Sequence, residues 1–191
     1  MAKRIDPATL LPVIGCSYPV PHDEPCRGRE RRRLGDAAGL TQFGVNLLRL
    51  PPGAWSSQRH WHGLSDEFVF VVAGEVTLVT DAGPELLRAG EAAGFKAGEA
   101  DGHHLRNLSG AEALVLEIGS RIEADDATYS DIDMLAPPHD RPAMYTRKDG
   151  TPLQATQSAP LAATQPAPLA ATQPAPLAAT QPAPLAATKP G

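Results

Sequence analysis

Short apolar runs separated by turns containing glycine or proline fill the middle of the chain, between Leu40 and Ile118. Runs spaced in this way are typical of strands in an antiparallel sandwich or barrel, and little of the first 150 residues has a helical period. The predicted strands lie within 40–50, 67–80, 85–90, 90–98, 103–109 and 113–120. Residues 67–80 are expected to form two strands on either side of Gly74. The pattern therefore predicts an all-β domain.

The two flanks of this region differ from it in composition. Residues 1–36 are rich in proline and charge and are expected to be irregular. The barrel is expected to occupy 37–150 and to end in an extended arm, 136–150, which would pack against a neighbouring subunit. Extended arms at the ends of a barrel are natural elements for exchange between subunits, so we expect a homodimer.

An eight-residue repeat dominates the last part of the chain, 151–191, with close copies of "APLAATQP" beginning at Ala159, Ala167, Ala175 and Ala183. Each unit holds one leucine among prolines and small residues. Such a segment cannot bury enough apolar surface to offset its chain entropy, so we expect a disordered tail with polyproline-like character. A spacer or a proline-rich ligand for a partner domain is the functional alternative.

Composition excludes several classes of protein. The chain has 191 residues, 42% of them hydrophobic but only 5% aromatic, which predicts one domain with an aliphatic core. Its net charge of -5 argues against a nucleic-acid partner. No segment has the roughly 20 apolar residues that a membrane helix needs, so no membrane partner is expected. The two cysteines, Cys16 and Cys26, fit a reducing compartment, and we expect a cytoplasmic protein.

Two clusters in the N-terminal segment have a functional and a structural interpretation. The run "RGRERRRLGD", 27–36, holds five arginines. It favours a solvated edge or arginines paired with nearby acids over a phosphate- or nucleic-acid-binding patch. Cys16, His22 and Cys26 lack a fourth ligand at a usual spacing and do not by themselves predict a metal site.

The stretch "RHWHGLSDEFVFVVAGEVTLV", 59–79, carries the strongest chemical pattern. Residues two apart on a strand point to the same face, so the imidazoles of His60 and His62 can reach one point in space. Glu67 begins the following strand close to that point. Two imidazoles and a carboxylate at the mouth of a strand predict a metal site.

A further ligand is expected from "GHHLRN", in which His103 and His104 are the candidates. Because Arg106 is costly to bury, its face of the strand is expected to look outward, which turns Leu105 and His103 inward. His103 is therefore favoured as the ligand. His104 is expected to lie outward or just beyond the ligands, and it remains the alternative because a bulge would reverse the register.

Two motifs in this region resemble those of the cupin superfamily. The first motif is matched by Gly53, His60-Trp61-His62, Glu67 and Gly74, and the second by Gly90, Lys96-Ala97-Gly98, His103 and Asn107. The chain departs from the family pattern in having Lys96 where a proline is usual and two extra residues between Gly98 and His103. The resemblance covers about residues 40–120 and is greatest to small single-domain bacterial cupins. It implies a double-stranded β-helix, or jelly-roll barrel, usually dimeric, with a metal inside.

The expected ligands, His60, His62, Glu67 and His103, suit Fe, Mn, Ni, Cu or Zn as a divalent ion. In an octahedral site four protein ligands would leave two positions open, which is typical of catalysis. The expected function is that of a dioxygenase, decarboxylase or isomerase acting on a small oxygenated compound. The alternatives are a non-enzymatic cupin that binds or senses a small ligand and a metal site kept for stability. No further catalytic residue is predicted, and Phe68, Phe70 and Phe95 could line the pocket or belong to the core.

Overall fold

The computed structural model of the chain describes residues 2–138 and 144–153, and nearly all of their regular structure is antiparallel β-strand. The copies of the repeat that begin at Ala159 and beyond lie outside the described residues, so the predicted disorder of the tail stays a prediction. Among the described residues, no helix is long and apolar enough to cross a membrane.

Twelve strands, one short helix and two single 3₁₀ turns make up the regular structure of the described residues. The strands are β1 (Val13–Ile14), β2 (Glu30–Arg33), β3 (Phe43–Leu50), β4 (His60–His62), β5 (Glu67–Ala73), β6 (Glu75–Thr80), β7 (Gly83–Arg88), β8 (Ala92–Phe95), β9 (His104–Arg106), β10 (Ala113–Ser120), β11 (Ala127–Tyr129) and β12 (Leu135–Ala136). The helix, α1, is Leu34–Ala38, and the 3₁₀ turns are Pro7–Thr9 and Glu24–Cys26.

These strands form one large sheet and two small ones. The large sheet has the order β1-β2-β3-β10-β5-β8, and the small sheets have the orders β12-β11-β4 and β7-β6-β9. Consecutive strands such as β3 and β4 lie in different sheets, whereas β3 pairs with the distant β10 along its full length. This is the double-stranded β-helix that the sequence predicts.

The predicted break at Gly74 is present between β5 and β6. Gly74 has φ +74°, a conformation that side-chain-bearing residues rarely adopt. A Cβ atom there would lie 2.6 Å from the carbonyl oxygen of Glu112. Only glycine therefore lets the chain turn so close to Glu112, which directly precedes β10, the strand that pairs with β5.

Aliphatic side chains from the large sheet and from the small sheet β7-β6-β9 form the main core inside the barrel. Its buried members are Leu48, Leu50, Ala54, Val69, Val71, Val76, Leu78, Leu87, Leu105, Ala113 and Val115. Alternate residues of β5 and β10 contribute to it because strand side chains alternate between faces. The aromatic residues Phe68 and Phe70 are exposed rather than part of this core.

A second, aromatic cluster joins the two ends of the described chain. Tyr18, Cys26, Tyr129, Met134 and Tyr145 are buried in it. Two of its members come from the N-terminal segment and one from the arm that we expected to contact another subunit. The arm thus packs, at least through Tyr145, against its own chain.

The N-terminal segment is more regular than its composition suggests, because β1 and β2 extend the large sheet and α1 connects β2 to β3.

At the C-terminal side of the barrel, ordered contacts continue three residues past Gly150. The Leu153 backbone N–H donates to the Tyr145 carbonyl at 2.9 Å, and Pro152 forms a bridge with Thr146. The boundary proposed at 150 therefore needs to be tested at Leu153 as well.

Candidate metal centre

Strand pairing brings the four predicted ligands to one place in the barrel. His60 and His62 lie on the same face of β4, and Glu67 is the first residue of β5. His103, which directly precedes β9, pairs with His60 through two backbone hydrogen bonds of 2.8 and 3.2 Å. The sequence separation of 43 residues between these histidines is closed by this pairing.

The side-chain nitrogens of the three histidines surround a single oxygen of Glu67. The Nε2 atoms of His60, His62 and His103 lie 3.8, 3.6 and 2.9 Å from Oε2 of Glu67. Ligand atoms of His60, His62 and Glu67 all lie within 4.8 Å of one another. This is the only such cluster of three or more histidine, cysteine or acidic residues found in the part of the chain that the structure describes.

Hydrogen bonds set the tautomers of the two histidines on β4. Nδ1–H of His60 donates to the carbonyl oxygen of Gln58 at 2.9 Å, and Nδ1–H of His62 donates to Oδ2 of Asp125 at 2.7 Å. A proton on Nδ1 leaves the Nε2 lone pair free for a metal ion. Both imidazoles are therefore oriented with their coordinating nitrogen towards Glu67.

A different contact orients His103. Its ring stacks face to face on that of Phe95, with 3.5 Å between ring centroids and 2° between planes. Its Nδ1 atom is buried and has no hydrogen-bond partner among the described residues. Aromatic packing thus orients the His103 ring, while its Nε2–H donates to Oε2 of Glu67 at 2.9 Å, a hydrogen that a bound metal ion would displace.

Electrostatics keep His60 and Glu67 in the protonation states that metal binding needs. Burial lowers the pKa of His60 to about 4, so this imidazole is neutral at neutral pH. Burial alone would raise the pKa of Glu67, but the hydrogen bond from His103 and the adjacent imidazoles outweigh it and lower the pKa to about 2. A neutral imidazole and an ionised carboxylate are ready-made ligands for a divalent cation.

His104 lies apart from this cluster but not at the surface. It is only 3% exposed, its Nδ1–H donates to the Ser57 carbonyl at 3.0 Å, and its ring packs edge-on against Trp55. The expectation that it might face outward is wrong because Trp55 covers this face of the strand. The guanidinium of Arg106 lies over the same indole, 4.3 Å from the ring centroid, so the arginine is stacked rather than fully solvated.

Asp125 is a site residue that no pattern in the sequence selects. It lies 58 residues after Glu67, outside any motif, and reaches His62 because β11 pairs with β4. Its other carboxylate oxygen, Oδ1, accepts the backbone N–H of Leu64 at 2.7 Å. Burial opposes ionisation of Asp125, but these hydrogen bonds and the imidazole keep its pKa below the ordinary value.

The cluster opens into a cavity of about 380 Å³. The three imidazoles, Glu67 and Phe95 line one part of it. Another part is polar and carries Ser17, Arg29, Arg31, Glu117 and Tyr145. The site is therefore accessible to a small molecule that presents oxygen atoms to the cluster and a polar or charged group to these other lining residues.

Most arginines of the run 27–36 are paired with acidic side chains, as the structural interpretation of the sequence predicts. The four arginines with a carboxylate partner form the pairs Arg27–Asp23, Arg31–Glu117, Arg32–Glu30 and Arg33–Asp36. The second N-terminal cluster, Cys16, His22 and Cys26, is not brought together as a metal site among the described residues. Cys26 is buried in the aromatic cluster, and neither cysteine forms a disulfide.

Sequence and structure together show the class of protein. Residues 46–119 match the family model described as the cupin domain. The chain belongs to the cupin superfamily, and it has a cluster of two histidines and a glutamate that could hold a metal ion.

Particular relatives are similar over most of their own length. The chain is 32% identical to Protein SchB of Streptomyces halstedii over 112 residues, which is 54% of this chain and 79% of that protein. A sugar phosphate isomerase of the cupin superfamily from Silicibacter pomeroyi is 42% identical, with a TM-score of 0.73, over 80% of this chain and 98% of its own. The polyketide cyclase RemF of Streptomyces resistomycificus shares the fold at 21% identity and a TM-score of 0.52, over 63% of this chain and 80% of its own.

Proposed function

We propose that the chain is a metal-dependent isomerase of a phosphorylated sugar. The observation that carries the proposal is the convergence of three imidazole nitrogens on one Glu67 oxygen in the wall of a cavity of about 380 Å³. The 42% identity to a sugar phosphate isomerase across 98% of that chain supports the choice among the reaction types that the ligand set allows.

His60, His62, Glu67 and His103 would hold the metal. Nitrogen and carboxylate ligands in this combination fit a divalent transition metal, and the hydrogen bonds at Nδ1 leave Nε2 of His60 and His62 free to coordinate it. When bound, such an ion supplies Lewis acidity to the carbonyl and hydroxyl oxygens of a substrate.

The residues around the ligands would position a substrate rather than react with it. Phe95 holds the His103 ring from behind, and Asp125 holds that of His62. The polar wall of Ser17, Arg31 and Tyr145 faces the same cavity and can bind hydroxyl groups. Binding the substrate to these residues and to the metal ligands at once would orient the two carbon atoms that the isomerisation changes.

Replacement of single ligands tests the metal site. In His60→Ala, His62→Ala, Glu67→Ala and His103→Ala, we expect the content of bound divalent metal in the purified protein to fall strongly, because each loses one donor atom. His104→Ala is the matched control and should keep its metal, since its ring contacts Trp55 rather than Glu67. Loss of metal in His104→Ala with full content in His103→Ala would contradict the assignment of the ligands.

A panel of aldose and ketose phosphates tests the reaction. The metal-loaded protein, incubated in deuterium oxide, should interconvert one pair and incorporate deuterium at the carbon beside the carbonyl, as measured by NMR. The result that contradicts the proposal is a loaded protein that binds a small ligand, seen as a change in the spectrum of bound cobalt, yet converts no member. That result would favour the alternative of a non-enzymatic binding cupin.

A further inference from the structure

Arg29 differs from the other arginines of its run in having no acidic partner among the residues that the structure describes. Its neighbours in the run each pair with a carboxylate, as described above. Among the described residues, no carboxylate oxygen lies within ion-pair distance of the Arg29 guanidinium, and its only hydrogen bond is from Nε–H to the Gly15 carbonyl at 3.0 Å.

The Arg29 guanidinium, which is unpaired within 2–138 and 144–153, is almost entirely buried. Arg29 is 7% exposed, and it lines the same cavity as the three imidazoles and Glu67. Transfer of a charged group out of water is costly unless an opposite charge compensates it. The two carboxylates that line this cavity are already engaged, Glu67 by the histidines and Glu117 by a bidentate contact from Arg31.

The backbone around Arg29 holds its side chain in place. The N–H of Gly15 donates to the carbonyl of Arg29 at 2.9 Å, while Nε–H of Arg29 donates to the carbonyl of Gly15. With Nε occupied, the terminal Nη groups remain for a ligand. Ser17 and Tyr145 line the same cavity, and their hydroxyl oxygens lie 2.9 Å apart, so one O–H donates to the other hydroxyl and one remains to donate to a ligand oxygen.

A phosphate group matches these features. A guanidinium offers donors in a planar fork that fits phosphate oxygens, and such charge-assisted hydrogen bonds are stronger than neutral ones. We propose that Arg29 is a specificity-determining residue that binds the phosphate group of the substrate while the three histidines and Glu67, which line the same cavity, hold its reacting oxygens. This inference rests on the proposed function for the identity of the substrate.

Binding of inorganic phosphate to the full-length, Zn²⁺-loaded protein tests the inference. Phosphate should raise the melting temperature of the wild type, since a ligand that binds only the folded state stabilises it. In Arg29→Gln the dissociation constant for phosphate, measured by calorimetry, should increase by about 10-fold or more, because a charge-assisted hydrogen bond is lost. Arg33→Gln is the matched control, because it removes the same charge from a side chain that is 60% exposed.

A second measurement does not depend on the folding of Arg29→Gln. In wild-type protein labelled with ¹⁵N in its arginines, the Nε–H resonance of Arg29, assigned by its absence in Arg29→Lys, should shift on titration with phosphate. A folded Arg29→Gln that binds phosphate as tightly as the wild type would overturn the inference. An Arg29 resonance that does not move would overturn it as well.

The outcomes separate this inference from the isomerase proposal. Phosphate binding that depends on Arg29 in a protein that converts no sugar phosphate would leave the anion site standing and remove the isomerase. If the protein isomerises a sugar phosphate and Arg29→Gln leaves the KM of that substrate unchanged, the isomerase proposal stands and the role of Arg29 is overturned.

Discussion

Replacement of Asp125 by asparagine probes the metal centre without touching a ligand. Asp125 uses both carboxylate oxygens, Oδ2 for Nδ1–H of His62 at 2.7 Å and Oδ1 for the N–H of Leu64 at 2.7 Å. The side chain is only 10% exposed, so water does not readily replace either contact. Asparagine is nearly isosteric but has a single acceptor oxygen, and one of the two donors must lose its partner.

The expected magnitude follows from the charge on the lost contact. A hydrogen bond to a charged group contributes about 1.5–3 kcal/mol, and about 1.4 kcal/mol corresponds to a tenfold change in affinity. We therefore expect Asp125→Asn to weaken Zn²⁺ binding by about 10- to 100-fold, the range usual for groups that orient a ligand. Ligand identity is unchanged, so the variant should still bind metal at saturation.

Competition with a fluorescent chelator measures this affinity, and the neighbouring Asp126 supplies the control. Asp126 is exposed, and Asp126→Asn removes the same charge one residue further along the chain. A Zn²⁺ affinity in Asp125→Asn within about twofold of the wild type would refute the role assigned to the hydrogen bond. An equal loss in Asp126→Asn would also refute it, because the effect would then be one of net charge.

Two further predictions concern the assembly and the ends of the chain. An exposed apolar row projects from the outer face of β5 and consists of Phe68, Phe70 and Val72. We therefore expect light scattering at micromolar protein to show a homodimer for the wild type and a monomer for Phe70→Glu. A monomeric wild type would contradict this. A chain that ends at Leu153 should have the same melting temperature as the full chain, because the composition of the removed repeats predicts that they bury little apolar surface. A fall of many degrees would show that the repeats pack on the barrel.

Local pattern was sufficient for most of the strands. Residues 113–120 were predicted as a strand and form β10 over the same residues, and 67–80 divides at Gly74 into β5 and β6. Alternation of side chains also placed His60 and His62 on one face, because it is a property of the extended backbone itself. The helix α1 was missed because a single turn of five residues is too short to show a helical period.

Sequence alone thus determined the strands between residues 40 and 120, the cupin fold and the histidines and glutamate that the barrel brings together. Only the tertiary structure decided what surrounds them. Asp125 reaches His62 through the pairing of β11 with β4, and Phe95 meets His103 from a separate strand. The distinction between Arg29 and its paired neighbours likewise depends on which acidic side chains lie nearby in space. The alternation of side chains along a strand depends on consecutive residues and can be predicted from them. The partner of a buried charge or ring depends on contacts between strands that are far apart in the chain.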